Sequence, residues 1–350
     1  MDSLKELFEI SRYIGQRFDL VQAGGGNSSV KVNGELFVKA SGIKLSEACN
    51  EEHYAKLTID QITKVFHDSN ILNSSNKKER ETIAKTYVDA ANLTDNIKPS
   101  IEAFLHAKLY KFVAHYHPIA QNIVLVQKNW RNLVADIMQD SEYICADYAT
   151  PGIDLAINLE QEMSKVSFIP KIAFLQNHGI IISADTKKEI LKLIESVADR
   201  FEQALNLDYS SYKQVSKIAE LHNEFTGEKQ LAYLGTDQFI TNNLLKALQK
   251  PAFPDHFVYN GITALELNDL TQIELEKFTQ KYKEPPKVII YRNNIYYIAK
   301  TINKARDMEE VLKSHIMAIA DNEDKVSFID NDELLYLGNW DAEKYRQNIS

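Results

Sequence analysis

Cysteine is scarce in this chain of 350 residues, which contains only Cys49 and Cys145. Two cysteines cannot form the disulfide framework of a small secreted domain, so we expect a reducing compartment. No apolar run approaches the roughly 20 residues that a transmembrane helix needs. The first 15 residues are amphipathic and partly acidic, unlike a signal peptide. We therefore expect a cytoplasmic protein with no membrane association.

Excess positive charge is also missing. The chain has 40 lysines and arginines against 49 acidic residues, a net charge of −9. This balance argues against a nucleic-acid partner, because general nucleic-acid binders present a basic surface. An anionic small molecule would have to be bound by local donors instead. The hydrophobic content of 44% is ordinary for a globular protein, and the length allows two domains.

Two histidines lie one residue apart in the apolar segment Phe112–Pro118. On a β-strand, residues i and i+2 project from the same face, so His115 and His117 should point into one space. Two neutral imidazoles on one face are suitable ligands for a divalent metal ion, and Zn²⁺ is the first candidate. The pair alone also fits two hydrogen-bonded histidines of a half-buried strand.

Further candidate ligands lie on either side of this segment. His178 lies in a β-rich run over residues 171–183, next to a glycine that would allow close backbone approach. Upstream, the sequence predicts a helix over residues 100–111, with Ser100 as N-cap and Glu102 in its first turn. Three histidines and a carboxylate are the donor set of a catalytic metal site with an exchangeable position. Glu102 alone also fits a carboxylate favoured by the helix dipole.

The glycine run Gly24–Gly26 nearly matches a dinucleotide-binding fingerprint, but Ser29 stands where the third glycine is required. The residues that follow predict a β-hairpin with a turn at Asn33–Gly34, whereas the fingerprint requires a helix. The run is therefore either a flexible turn or a backbone cradle for a phosphate, with Asn27 as a donor.

Four short motifs occur in one order: Gly-Asn at 26–27, Ser-x-Glu at 100–102, His-x-His-Pro at 115–118 and Asn-His-Gly at 177–179. Together they resemble the class II aldolase/adducin family over about residues 5–207. The similarity is greatest to the fuculose- and rhamnulose-phosphate aldolases and to the aldolase half of longer rhamnose enzymes.

Alternating strands and helices indicate an α/β layered fold. The resemblance implies a three-layer α/β/α arrangement with a mainly antiparallel central sheet. We expect a catalytic domain over residues 1–225 and a smaller α+β C-terminal extension over residues 226–350, as in the longer rhamnose enzymes. The resemblance further implies a homotetramer in which each active site is formed by residues of two neighbouring chains.

The resemblance also assigns roles to individual residues. His115, His117 and His178 would hold Zn²⁺ or another divalent metal ion. Glu102 would ligate the resting metal and then serve as general base, and Tyr148 would protonate the aldehyde oxygen. The phosphate of the substrate would be bound by Gly26, Asn27, Ser41, Gly42 and Ser100.

One position departs from the family pattern. The short aldolases have two serines before the glutamate, but here the second of them is Ile101. Loss of one hydroxyl weakens an anion site by about 1–2 kcal/mol unless another group replaces it. Lys31 or Lys39 could compensate.

These expectations define a divalent-metal lyase that cleaves a sugar phosphate, or a related sugar acid, by retro-aldol chemistry. The products would be dihydroxyacetone phosphate and an aldehyde. Alternatives are the epimerases, dehydratases and decarboxylases of the same family, which would use the same metal ligands and carboxylate. A different alternative is a binding module like the adducin head, which has this fold and no chemistry.

Overall fold

The computed structural model describes residues 2–139, 141–320 and 325–339. Its contacts divide the chain into two units, Met1–Tyr209 and Ser210–Ser350. The sequence predicted a domain boundary at residues 225–226. The second unit instead begins at Ser210, the first residue of a helix that ends at Thr226, so the predicted boundary lies at the end of that helix. No helix in the described part of the chain is both long and apolar enough to cross a membrane.

A seven-stranded sheet forms the centre of the first unit. Its strands are β1 (Asn27–Val32), β2 (Glu35–Lys39), β3 (Tyr54–Thr58), β4 (Phe112–Tyr116), β5 (Ile144–Ala146), β6 (Ile172–Leu175) and β7 (Gly179–Ala184). Their spatial order is β3-β2-β1-β4-β7-β6-β5, and every neighbouring pair is antiparallel except β5 and β6. The predicted mainly antiparallel sheet is confirmed.

Helices cover both faces of this sheet. They are α1 (Asp2–Gly15), α2 (Ile59–Thr63), α3 (Ser69–Asn73), α4 (Lys77–Ala91), α5 (Ala103–Ala107), α6 (Ile119–Leu125), α7 (Trp130–Met138), α8 (Ile153–Met163) and α9 (Lys187–Leu205). Phe112, Ala114 and Tyr116 of β4 pack in one buried cluster with α1, α6, α7 and α9, whereas Val113 packs in the other with α2 to α5 and α8. This alternation creates the three layers and turns the face of His115 toward α5.

The hairpin predicted after the glycine run is present. Strands β1 and β2 pair from Ser29 with Val38 to Val32 with Glu35. The turn residues Asn33 and Gly34 have φ values of 52° and 80°, the left-handed pair that a two-residue hairpin requires. Because a strand follows the glycines directly, they do not form the fingerprint of a dinucleotide-binding fold.

The helix predicted over residues 100–111 is much shorter. Helix α5 contains only Ala103–Ala107, and Glu102 is its N-cap residue rather than part of its first turn. Residues 101–102 form a turn in which the Glu102 amide donates to Ser100 Oγ at 3.3 Å. All five residues of α5 are buried. The helix is therefore held by packing rather than by an amphipathic repeat, and the sequence pattern overestimated its length.

The second unit is built on a four-stranded sheet in the order β8-β11-β10-β9. Its strands are β8 (Leu231–Leu234), β9 (Leu265–Leu267), β10 (Val288–Tyr291) and β11 (Asn294–Ala299). Its helices are α10 (Ser210–Thr226), α11 (Gln238–Thr241), α12 (Pro254–Asn260), α13 (Gln272–Tyr282), α14 (Ile302–Ile319) and α15 (Asn331–Asn339). Separate buried clusters lie on the two faces of this sheet. The predicted α+β extension is thus confirmed as an architecture with its own core.

Candidate metal centre and active site

Three histidines converge near the last residues of β4, the middle strand of the first sheet. His115 is on β4, His117 follows directly after the strand, and His178 lies in the turn between β6 and β7. The Nε2 atom of His115 is 3.2 Å from the Nε2 atom of His178 and 3.2 Å from that of His117. All three potential ligand atoms lie within 4.8 Å of one another. The structure therefore brings together the three residues that the sequence suggested as metal ligands.

The position of His178 differs from the sequence expectation, which placed it within a strand. The preceding Asn177 has a φ of 52°, so the chain leaves β6 through a left-handed residue. Two hydrogen bonds hold this turn against α6: the Asn177 amide donates to the Leu125 carbonyl, and Asn122 Nδ2 donates to the His178 carbonyl. The third histidine is thus fixed by helix contacts rather than by strand pairing.

His115 and His117 are held in the neutral form that binds metal. His115 Nδ1 lies 3.0 Å from the Ile180 carbonyl, which can only accept, so Nδ1 carries the proton and Nε2 has a free lone pair. Burial lowers the pKa of His115, although Glu102 opposes this shift. Burial also lowers the pKa of His117 to about 3, with His115 and His178 adding to the effect. At neutral pH these two imidazoles therefore offer lone pairs rather than charge.

This geometry fits a divalent metal ion. Two nitrogens bound to one tetrahedral ion at about 2.0–2.1 Å lie roughly 3.3 Å apart. The observed nitrogen separations of 3.2 Å match that value. The carboxylate of Glu102 adds oxygens at 3.3 Å from His178 Nε2 and 3.5 Å from His115 Nε2. Three imidazoles and one carboxylate could hold a metal ion of the Zn²⁺ class.

Glu102 is oriented by Asn27, which lies opposite His115 in the β1–β4 pairing. Asn27 Nδ2 donates to Glu102 Oε2 at 2.7 Å. Burial alone would raise the pKa of Glu102, but the neighbouring histidines, His115 first, hold that pKa at about 2. The carboxylate is therefore ionised. Sequence reasoning assigned Asn27 to phosphate and missed this contact, which only the cross-strand register shows.

Ser100 and Gly26 border the same centre. Ser100 Oγ lies 3.4 Å from Asn27 Nδ2 and accepts a hydrogen bond from the Glu102 amide. Gly26 packs its backbone against β4, where a Cβ would lie 2.7 Å from the His115 carbonyl oxygen. Both predicted phosphate residues are thus within the immediate surroundings of Glu102 and the histidines.

Ser41 and Gly42, the other predicted phosphate residues, form an exposed turn after β2. The Ser41 amide donates to the Lys98 carbonyl, and Ala40 forms a bridge with Pro99. These contacts place the turn beside the segment that leads into Ser100. The turn is therefore tied to the Ser100 side of the site.

The two lysines considered as replacements for the missing serine differ in position. Lys31 Nζ donates to the carbonyls of Leu109 and Tyr110. Lys39 Nζ donates to the carbonyls of Ala40 and Ile43. Burial lowers the pKa of Lys39 to about 8, while Glu102 partly opposes this shift. Lys39 is therefore the lysine that lies in the electrostatic field of the site.

Tyr148, the predicted proton donor, lies on the loop between β5 and α8. Its side chain is 56% exposed. Its amide donates to Gln176 Oε1 at 3.1 Å, close to the turn that carries His178. Within the described residues, the Tyr148 hydroxyl makes no hydrogen bond to the three histidines. The structure of one chain thus leaves Tyr148 facing outward.

Two glycines enclose the ring of His117. A Cβ added to Gly25 would lie 2.8 Å from His117 Nδ1. A Cβ added to Gly179 would lie 2.8 Å from His117 Cδ2 and 2.4 Å from the Tyr116 carbonyl oxygen. Side chains at either position would displace the ring or the backbone, so these glycines provide the space that His117 needs.

Comparisons with known proteins identify the family of the chain. Residues 5–205, more than half of the chain, match the family described as Class II Aldolase and Adducin N-terminal domain. Similar solved structures include the N-terminal class II aldolase domain of a conserved protein from Thermoplasma acidophilum, with 26% identity, 58% of this chain and 93% of that chain covered, and a TM-score of 0.49. A sugar-phosphate aldolase from Thermotoga maritima has 13% identity, covers 59% of this chain and 95% of its own, and has a TM-score of 0.41.

An L-fuculose-1-phosphate aldolase from Thermus thermophilus shows 13% identity, coverage of 57% of this chain and 94% of that chain, and a TM-score of 0.35. No curated protein matches the chain. The family match runs from residue 5, within α1, to the end of α9 and contains the three histidines and Glu102. The chain therefore belongs to the class II aldolase and adducin family.

Proposed function

We propose that this protein is a divalent-metal-dependent lyase that cleaves a sugar phosphate or a related sugar acid by retro-aldol chemistry. The products are dihydroxyacetone phosphate and an aldehyde. The observation that carries the proposal is the convergence of three histidine Nε2 atoms beside an ionised Glu102 in a chain of this family. A binding module has no need for four converging metal-type ligands.

The residues divide the work as follows. His115, His117 and His178 would hold the ion, which when bound supplies Lewis-acid stabilisation of the negative charge that develops as the carbon–carbon bond breaks. Glu102, fixed by Asn27, exchanges a proton with the carbon of the three-carbon unit. In condensation the ionised carboxylate removes that proton. In cleavage it returns to the carbon a proton that comes, by way of solvent, from the hydroxyl group that becomes the aldehyde. Ser100 and the Gly26–Asn27 backbone line the path for the anionic end of the substrate.

The experiment that tests this function is a screen of ketose phosphates and sugar acids with the zinc-loaded protein. We expect release of dihydroxyacetone phosphate from at least one phosphorylated ketose, measured by a coupled reduction of the product. Inversion of one carbon without release of the three-carbon product would instead identify an epimerase. Failure of every compound, with full metal occupancy, would contradict the lyase proposal.

We further propose that the active assembly is a cyclic homotetramer in which Tyr148 of one chain serves the site of its neighbour. Support comes from the outward position of Tyr148, which is 56% exposed and makes no hydrogen bond to the histidines of its own chain within the described residues. Head-to-tail interfaces in a ring allow such sharing. In condensation, Tyr148 would donate its proton to the aldehyde oxygen, and in cleavage it would accept it.

A mixing experiment tests this sharing. Subunits with His115→Ala and subunits with Tyr148→Phe should each be inactive alone, since each lacks one half of every site. Unfolded together and reassembled at random, about one quarter of the sites would combine intact histidines with an intact tyrosine. Activity should return to about that fraction of reassembled wild-type protein. No recovery, with wild type reassembling well, would show that Tyr148 acts within its own chain or has no catalytic role.

A further inference from the structure

A buried histidine that the proposed mechanism does not use lies one helical turn from Glu102. His106 is on α5 and has an exposed fraction of 0%. Its Nδ1 atom lies 2.7 Å from the Oγ atom of Ser29 on β1, which is also fully buried. Within the described residues, the Nε2 atom of His106 has no hydrogen-bond partner. His106 is not one of the three histidines that converge in the metal centre, so no role proposed above explains it.

Stability alone does not account for an imidazole at this position. Burial lowers the pKa of His106 to about 3, so the ring is neutral at ordinary pH. Its Nε2 atom is then an unsatisfied buried donor or acceptor in either tautomer, which costs about 1–3 kcal/mol. The other four residues of α5 are apolar and belong to one hydrophobic cluster: Ala103, Phe104, Leu105 and Ala107. An apolar side chain at position 106 would join that cluster without the cost, so the hydrogen bond to Ser29 is what the imidazole contributes.

Two parallel side-chain contacts join α5 to β1. The Glu102 carboxylate, at the N-cap of α5, accepts from Asn27 Nδ2 at 2.7 Å. Four residues further along the helix and two residues further along the strand, His106 contacts Ser29 at 2.7 Å. Four residues of an α-helix rise about 6 Å and two residues of a strand rise about 6.6–6.8 Å, so the two spacings match. The two contacts together therefore fix where α5 lies along β1, which a single contact could not do.

A third contact lies beyond the end of α5. Lys31, the next residue of β1 on this face, donates through Nζ to the carbonyls of Leu109 and Tyr110. It anchors the segment after the helix, whereas the His106 contact lies within the helix and one turn from Glu102. Apolar packing has no preferred direction, so the other side chains of α5 do not set the position of the carboxylate as closely as a hydrogen bond does.

The position of Glu102 determines what its carboxylate can do. The two oxygens lie 3.3 Å from His178 Nε2 and 3.5 Å from His115 Nε2. A misplacement of about 1 Å can reduce the rate of an enzymatic step by about 10²-fold. A small movement of α5 along β1 would therefore slow proton transfer at Glu102 and leave the three histidines in place, since none of them is on α5.

We propose that His106 is a positioning residue for Glu102. Its hydrogen bond to Ser29 holds α5 at the place along β1 where the Glu102 carboxylate lies against the metal centre. The inference rests on the proposed function, because that function assigns Glu102 the role of base. His106 acts through α5 and not on the reacting atoms.

A double variant removes the contact without leaving an unpaired polar atom. Ser29→Ala combined with His106→Leu replaces both partners by apolar side chains, a change that can be nearly neutral for stability. We expect the melting temperature and metal content of wild type. Exchange of the carbon-bound proton of dihydroxyacetone phosphate with deuterated solvent should slow by about ten-fold or more. The kcat of cleavage should fall with it while KM changes little, because the groups that bind substrate remain.

Two amide variants with Ser29 intact form a matched pair. The side-chain amide of His106→Asn reaches the position of Nδ1, whereas the amide of His106→Gln reaches the position of Nε2. The asparagine variant can therefore retain the hydrogen bond to Ser29 and should keep most of the exchange rate, and the glutamine variant should not. Equal exchange rates in the two variants would overturn the role of this hydrogen bond.

The side-chain amide of Asn27 reports the position of Glu102 without turnover. Because Asn27 Nδ2 donates to the Glu102 carboxylate, its NMR signal depends on the length of that hydrogen bond. The signal is identified by its absence in Asn27→Asp. It should shift in the double variant and return toward the wild-type position in His106→Asn.

Ser28→Ala is the control for a general loosening of β1. Ser28 lies between Asn27 and Ser29 and points to the opposite face of the sheet, where its Oγ is 2.7 Å from that of Ser11. Ser28→Ala also removes a buried hydrogen bond from this strand. It should lower the melting temperature and leave the exchange rate unchanged.

The outcomes separate this inference from the proposed function. Absence of turnover in wild type would contradict the proposed function, and the Asn27 signal would then decide the positioning role by itself. An unshifted Asn27 signal or a wild-type exchange rate in the double variant would overturn the inference. So would loss of metal in that variant, or equally slow exchange in Ser28→Ala. If the double variant does not fold, Ser29→Ala alone removes the contact, and the same criteria apply to it.

Discussion

Replacement of His117 by alanine should remove most of the bound metal and nearly all turnover. His117 supplies one of three Nε2 atoms, and its ring contacts His115 Nε2 at 3.2 Å. Without it, only two imidazoles hold the ion while Glu102 acts as base, fewer than the three protein ligands of a catalytic zinc site. His117 is only partly buried, so the fold should survive. Elemental analysis of the purified variant gives the metal content per chain.

The matched control is His67→Ala, which removes an exposed histidine that has no part in the site. It should retain about one ion per chain and the turnover of wild type. Full metal occupancy in His117→Ala would show that the three histidines are not the ligand set. Normal turnover of His117→Ala with a reduced metal content would show that catalysis does not require the ion.

Replacement of Glu102 by glutamine should reduce turnover by about 10²-fold or more while most of the metal remains. The amide retains the shape of the carboxylate and can still accept from Asn27 Nδ2, but it cannot take up a proton. The three histidines keep their positions, so metal content should change little. Exchange of the carbon-bound proton of dihydroxyacetone phosphate with deuterated solvent, followed by NMR, measures the proton transfer directly.

Asn27→Asp provides a second comparison, because it removes the donor that orients Glu102 and places a second carboxylate beside it. A charge-assisted hydrogen bond of this kind contributes about 1.5–3 kcal/mol, so proton exchange should slow in this variant as well. Exchange in Glu102→Gln at the wild-type rate would remove Glu102 from the role of base. Loss of metal in that variant would instead make Glu102 chiefly a ligand.

The parts of the site that follow a two-residue period could be predicted from the sequence. His115 and His117 share a face because strand geometry demands it, and the Asn33–Gly34 turn fixes the hairpin beside them. His178 could be assigned to the site only through the motif pattern. Its place in a turn depends on hydrogen bonds from Asn122 and Asn177 to partners distant in sequence.

Other features depend on tertiary packing and left no local signal. The short α5 is wholly buried, so the apolar run around it indicated a longer helix than packing supports. The contact between Asn27 and Glu102 arises from β1–β4 register across 75 residues of sequence. The Arg80–Asp154 ion pair joins α4 to α8 across 74 residues of sequence. Pairings between distant segments of this kind cannot be read from one sequence.

The two glycines around His117 make this protein's chemistry easier to lose than its fold. A methyl group added at Gly25 would lie 2.8 Å from Nδ1 of His117. The imidazole can change its side-chain conformation to avoid this contact while the sheet stays intact. A related protein with alanine at position 25 would retain both hydrophobic clusters of the first unit but lose His117 as a metal ligand. Catalytic and purely scaffolding lineages of one architecture could thus be separated by one small mutation, and residue 25 is where that divergence should be sought among related sequences.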